Sequence, residues 1–228
     1  MTLAGRNDES MRRVRSFVRR PGRLTPAQRR ALEELLPVYR IDPALEDLHD
    51  AFDRPAPLVI EIGFGNGEAL VQMASNEPEY NFVGIEVHEP GVGRALRAVQ
   101  TEGLDNVRVA MQDALELLEA QARPGSLEQV RVYFPDPWPK KRHHKRRIIQ
   151  SDFLARVATA LRPGGLLHLA TDWAPYADWM LEALASSRSF VNRGHPFVER
   201  PSWRPETRFE RRGLSRGHRI FDLLWVRV

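Results

Sequence analysis

The chain has 228 residues and no cysteine, which gives it the length of one domain with extensions and excludes disulfides, thiolate nucleophiles and cysteine-based zinc sites. Its formal net charge of +4 conceals a segregation: residues 1–30 carry nine Arg against Asp8 and Glu9, residues 136–147 six cations against Asp136, and residues 193–219 eight Arg against three Glu, so the remaining body is acidic. Basic attachments on an acidic body are the footprint of phosphate-backbone binding; with no apolar run near ~18 residues and no apolar signal core, a cytoplasmic protein without a membrane span is expected.

Residues 1–30 read as a flexible basic arm ahead of a single domain over 31–228. Asp8, Glu9 and the scarcity of Ser argue against a transit peptide. Thr25 as N-cap with Pro26 behind it predicts a helix that ends before Pro37. An alternation follows. Strands are expected at 58–62, 82–87, 107–110, 129–134 and 166–170, and helices at 67–75, 90–102, 114–122, 148–161 and 175–185. This predicts a doubly wound α/β fold with a mainly parallel sheet. The last stretch, 220–228, is strand-like and follows an irregular segment in which no helix is expected, so it should enter the sheet antiparallel.

In such a sheet, ligands sit beyond the carboxyl ends of the strands. Four acids are expected there, one after each of the first four strands: Glu61, Glu86, Asp113 and Asp136. Gly63, Gly65 and Gly67 follow the first strand in G-x-G-x-G spacing, which lets backbone approach a ligand closely; Glu68 stands where a dinucleotide fingerprint would place its third glycine, which disfavours NAD. Glu86 lies where an acid accepts hydrogen bonds from ribose hydroxyls. Asp113 suits an adenine amino group and equally a helix N-cap.

The stretch FPDPWPKKRHHKRR, residues 134–147, leaves the fourth strand with three prolines in five residues and reads as a rigid, non-helical loop. It holds Asp136, Trp138 and the chain's only three lysines, Lys140, Lys141 and Lys145. An acid beside an aromatic, followed by dense positive charge, suits a site that grips a polyanion and handles one base; a solvated charged loop is the plainer alternative. Arg142, His143, His144, Lys145, Arg146 and Arg147 are the candidate RNA contacts. The two histidines lack metal-ligand spacing and are expected to be solvated, and no metal site is expected.

EIGFGNGE, VGIEVHEPGVG, YFPDPWPKKRHHKRR, LRPGGLLHLATDW and RPETRFERRG resemble, in order over residues 58–228, the motifs of the bacterial tRNA (guanine-N7-)-methyltransferase family. The first two and the LRPGG turn occur in many S-adenosylmethionine-dependent enzymes, whereas the proline-rich stretch and the tetrad TRFE are much narrower. The resemblance implies a class I Rossmann-like fold and S-adenosylmethionine held by Glu61, Gly63, Gly65, Glu86, Asp113 and Asp136. It also implies a guanosine in tRNA as methyl acceptor, with contacts from Lys140, Asp172, Thr207, Arg208, Phe209 and Glu210. Carboxylates suit the guanine edge, with Asp136, Asp172 and Glu210 as candidates, and Asp136, leaving the fourth strand between the cofactor acids and the cationic loop, is expected to be the catalytic one. Arg208 is a modest departure from the TNFE- or TKFE-like tetrads usual in the family. Another S-adenosylmethionine-dependent RNA base methyltransferase, or a non-catalytic RNA-binding protein on the same fold, is the alternative; tRNA is the expected partner, and the protein a monomer or homodimer.

Overall fold

The computed structural model describes residues 23–228, and most of the expected basic arm therefore lies outside the described residues. Thr25 caps helix α1 (Pro26–Glu34) through a capping box with Gln28, and the short α2 (Leu36–Tyr39) takes Pro37 into its first turn. The end of the expected arm is thus part of the fold: the Gln28 side chain donates to the Pro90 carbonyl 3.0 Å away.

The sheet begins with β1 (Leu58–Ile62), every residue of which is buried. Helix α3 (Glu68–Asn76), β2 (Asn81–Ile85), α4 (Glu89–Thr101), β3 (Val107–Ala110), α5 (Ala114–Gln121) and β4 (Leu127–Tyr133) follow. The second half runs α6 (Ser151–Ala160), β5 (Leu161–Thr171), α7 (Ala174–Ala185), β6 (Phe190–Asn192), α8 (Arg208–Leu214) and β7 (Phe221–Arg227). The strand order is β3-β2-β1-β4-β5-β7-β6, with β1 to β5 parallel and β7 antiparallel to both β5 and β6. This is the mainly parallel, doubly wound sheet that the alternation of elements predicts, antiparallel C-terminal strand included.

Side chains leave the strands with period two, so each strand feeds two cores. Leu58, Ile60 and Ile62 of β1 pack with Leu117, Phe153 and Met180 of α5, α6 and α7. Val59 faces the other way, with Leu70 of α3, Leu96 of α4 and Ala31 of α1. Burial of both faces is why these strands read as continuous apolar runs. Among the described residues no helix is long and apolar enough to cross a membrane.

Three elements depart from the sequence expectation, among them the short strand β6, which forms in the segment read as irregular. Lys141–Arg146 forms a 3-10 helix where a non-helical loop is expected, because the prolines stop at Pro139 and the next residues close i→i+3 bonds, His143 N–H to Lys140 O at 2.8 Å and Arg147 N–H to His144 O at 3.0 Å. The segment before β7, expected to hold no helix, contains α8, whose N-cap Thr207 accepts from the Glu210 N–H at 3.1 Å.

Beside the switch from β1 to β4, the sheet carries a fully buried guanidinium. Arg131 reaches Gln129 Oε1 at 2.9 and 3.1 Å, Glu77 Oε2 at 3.0 Å and the Met73 sulfur, and lies 5.6 Å from the Phe82 ring centroid. Removing it leaves unpaired acceptors and a void under α3. Arg131→Ala is therefore expected to lower the free energy of unfolding by about 3 kcal/mol. Denaturant unfolding measures this, and a change below about 1 kcal/mol would show that the pair is not structural.

Candidate active site

The strand order reverses between β1 and β4, and a cavity of about 300 Å³ opens beyond their carboxyl ends. Four segments line it: Glu61 to Asn66 with Glu68 and Ala69, the end of β2 with Glu86 and Val87, Val132 to Asp136, and Thr207 to Phe209. Gln112, Ala114 and Ile148 complete the wall.

The glycine turn is shaped by backbone requirements. Gly63, Gly65 and Gly67 all have left-handed φ values, +76°, +60° and +76°. A Cβ at Gly67 would stand 2.4 Å from Ala95 Cβ, so this residue also sets how closely α3 packs on α4. Glu86 holds the turn in place: its carboxylate accepts from Gly65 N–H at 2.9 Å, Val87 N–H at 2.7 Å and His88 N–H at 2.9 Å. One acid thus joins the exit of β2 to the exit of β1.

Glu61 lies within β1 rather than after it, and only 2% of it is exposed. Its Oε2 is buried without a hydrogen-bond partner. Burial pushes its carboxyl up to about 8; Arg131 opposes that shift and Glu86 adds to it. A buried carboxyl with a free oxygen on a ligand-sized cavity is a place for a cationic or hydrogen-bond-donating group. Asp113 is the N-cap of α5, its Oδ1 accepting from Leu115 and Glu116 N–H, and Gln112 beside it lines the cavity instead.

Asp136 stands exposed at the cavity mouth. It leaves β4 through Phe134, a non-glycine residue at φ +52°, whose N–H donates to Ala170 O at 2.8 Å. A left-handed phenylalanine followed by Pro135 and Pro137 leaves the acid little torsional freedom.

The cationic stretch divides into a surface and a foundation. Lys140, Lys141, Arg142 and Lys145 are exposed. Trp138, also left-handed at φ +43°, is flanked by the His143 ring at 5.8 Å in stacked geometry and by Arg146 at 5.1 Å. His143 is therefore packed rather than solvated, and burial with the cations Arg146 and Arg142 holds its ring below the ordinary histidine range. Arg147, expected to contact RNA, is instead 3% exposed. It donates to Pro137 O at 2.9 Å, meets His144 at 3.1 Å, and lies about 5 Å from the Tyr176 and Trp179 ring centroids. The proline loop and α7 bury it, so it anchors the stretch and does not reach phosphate.

The TRFE segment divides in the same way. Thr207 lines the cavity and caps α8; Arg208 and Phe209 are exposed at its lip, and Arg211 ties α8 to α3 through Glu68 at 2.7 Å. Glu210, expected among the substrate contacts, is only 4% exposed, and both its oxygens accept from Arg204. Its carboxylate is committed inside the protein. Asp172 stands outside the cavity wall, half-buried against α8, with Oδ2 3.0 Å from His218 Nδ1. The fold thus brings Glu61, Glu86, Asp136, Gly63, Gly65 and Thr207 to Phe209 onto one cavity, with Asp113 one residue removed. Sequence reasoning misses Arg204, His168 and Asp222, which lie beneath it; the available signal is Asp222 itself, an acid inside a strand that is otherwise apolar up to its last residue, Arg227.

A family of putative methyltransferases matches the chain over residues 55–223. A tRNA (guanine-N(7)-)-methyltransferase of Halorhodospira halophila is 54% identical, covering 94% of this chain and 95% of that protein. One from Aeromonas hydrophila is 52% identical, covering 96% and 94%. Among solved structures, TrmN from Thermus thermophilus superposes with a TM-score of 0.54 at 19% identity, covering 88% of this chain and 48% of that one. An rRNA methylase from Streptococcus thermophilus gives 0.52 at 12%, covering 91% and 99%; at these identities the likeness is one of fold. The match over most of the domain and the near full-length similarity to enzymes of one name lead to one conclusion: the chain belongs to the tRNA (guanine-N(7)-)-methyltransferase family.

Proposed function

We infer that the protein transfers a methyl group from S-adenosylmethionine to N7 of a guanosine in tRNA, in the cytoplasm, and we assign the acceptor to the variable loop. The observation that carries the reading is the union on one cavity of the Gly63–Gly67 turn, the buried Glu61 and the proline-clamped Asp136, with an exposed cationic helix beside it. S-adenosylmethionine, when bound, supplies an electrophilic methyl group on a sulfonium. The donor set fits it: Glu61 Oε2 has a vacant acceptor position for the ammonium of the methionyl part, Glu86 lies at the end of β2 where an acid meets a ribose, and Gly65 has no side chain in the way of a close approach. The adenine end is assigned to Gln112, which lines the cavity, with Asp113 one residue outside the lining and capping α5.

Guanine N7 already has an in-plane lone pair and no proton to lose, so alignment matters more than a general base. Asp136 is positioned to hold the guanine edge and to offset the positive charge that the base acquires. Lys140, Asp172, Arg208 and Phe209 are assigned to the acceptor nucleoside, Glu210 supports them from within, and the exposed cations take the phosphates.

Incubation with labelled S-adenosylmethionine and unmodified tRNA, followed by nucleoside analysis, should yield 7-methylguanosine; a folded protein that yields none contradicts the reading. Asp136→Asn should retain the fold and most tRNA affinity while single-turnover methylation falls by about 100-fold. A near wild-type rate would remove Asp136 from the reaction.

Across a salt series, the Lys141→Ala, Lys145→Ala double variant should flatten the log-log slope of tRNA affinity by about 1.4 to 1.8. Arg147→Ala should leave the slope unchanged and lower the thermal midpoint. A slope change from Arg147→Ala alone would overturn its assignment as an anchor.

Glu61, raised to about 8, is protonated at pH 7 in the free protein. A cation seated at Oε2 favours the ionised form, so binding should expel the proton. Affinity for S-adenosylmethionine is then expected to rise with pH and level off above about 8, and binding enthalpy at pH 7 should vary with buffer ionisation enthalpy. Glu61→Gln should abolish both effects; calorimetry in two buffers that shows no proton release would place the ammonium elsewhere.

A further inference from the structure

Beneath the cavity lies a buried polar cluster that joins four separate elements. Arg204, with no side-chain exposure, donates from Nε and Nη2 to Asp222 Oδ1 and Oδ2 at 2.7 and 2.8 Å, and from Nη1 and Nη2 to the two oxygens of Glu210. Its guanidinium carbon lies 5.7 Å from the ring centroids of both Tyr133 and Phe134. The cluster continues to the sheet: His168 Nε2 is 2.8 Å from Asp222 Oδ1, and His168 Nδ1 is 3.0 Å from the Tyr133 hydroxyl.

The donors can be assigned. Burial works against ionisation of Asp222, but hydrogen bonds from His168 and Arg204 prevail and hold its carboxyl below the ordinary range. An ionised carboxylate only accepts, so His168 carries its proton on Nε2, and its Nδ1 accepts from the Tyr133 hydroxyl. Arg204, Asp222 and His168 each hydrogen-bond to two other members, while Glu210 and the Tyr133 hydroxyl close the two ends of the chain.

What the cluster joins is the two walls of the cavity. Glu210 follows Phe209, so Arg204 holds the Thr207–Phe209 lip through α8. Phe134 precedes Pro135 and Asp136 in a backbone conformation that a phenylalanine rarely adopts, and Arg204 lies against its ring. We propose that Arg204 is a positioning residue for methyl transfer, a buried clamp that fixes the Phe209 lip, on the acceptor side, against the Asp136 turn while touching neither reactant. This rests on the methyltransferase reading above. A packing role alone would require no link to both walls; a guanidinium fork that makes four hydrogen bonds to Asp222 and Glu210, with its face against Phe134, provides one.

The test compares wild type with Arg204→Lys and Asp222→Asn. Lysine keeps the charge but cannot grip two carboxylates bidentately; the Asp222 change is isosteric and lies on β7, away from the cavity lining. Folded fraction, S-adenosylmethionine affinity and the single-turnover methylation rate at saturating tRNA and cofactor are measured for each. Both variants should lower the thermal midpoint. Per folded molecule, the single-turnover rate should fall by about ten-fold or more while cofactor affinity stays within about two-fold, because misalignment is felt in the reaction rather than in cofactor binding. A rate per folded molecule within about two-fold of wild type in Asp222→Asn would overturn the proposal even if Arg204→Lys does not fold. Wild type that makes no 7-methylguanosine would instead overturn the underlying reading.

Discussion

The molecule depends on the pairing of β1 with β4, two parallel strands that were not made consecutively and that bring the two informative parts of the chain to the same edge. Because the strand order reverses there, the connections after β1 and β4 leave on opposite sides of the sheet, and a gap opens that backbone does not fill. The glycine turn enters it from one side and the Asp136 turn from the other. Any ligand held by both must lie across the gap, and this gives a donor and an acceptor their relative placement.

The parallel part of the sheet was legible from the sequence because its strands are buried on both faces. Leu58–Ile62 and Val107–Ala110 occur where expected, and the helices between them carry apolar periods that identify their inner faces. The cavity lining followed from the rule that ligands bind at the carboxyl ends of strands. What escaped detection is long-range and polar. Arg204 lies in an arginine-rich segment where one cation looks like another, and its burial depends on Asp222, 18 residues away, and on Glu210. Helix α8 escaped because seven residues are too few to show a helical period and Gly213 near its end lowers the propensity; the Thr207 cap and the buried Glu210–Arg204 pair make up the difference.

The segregation of charge takes on a more specific form in the structure. Acids face inward at the cavity, where Glu61 and Glu86 surround a place suited to a cationic cofactor, and the cations of the 3-10 helix face outward. The two fields need not oppose one another: the carboxyl groups act within a few ångströms in a partly buried setting, whereas the field of the exposed cations reaches into solvent, where salt screens it. A net charge near zero in the folded body is therefore compatible with strong attraction of a polyanion to one edge.

The burial of Arg147 has a thermodynamic corollary. Because its guanidinium is held between Pro137, Tyr176 and Trp179, the helix that carries Lys141, Arg142 and Lys145 has its orientation set before any nucleic acid arrives. A free basic tail would lose conformational entropy on meeting phosphate; here that loss has already occurred during folding. On the reading proposed above, the phosphates meet a backbone whose course is already set, so the spacing of the cations along it is fixed by the fold and not by the ligand.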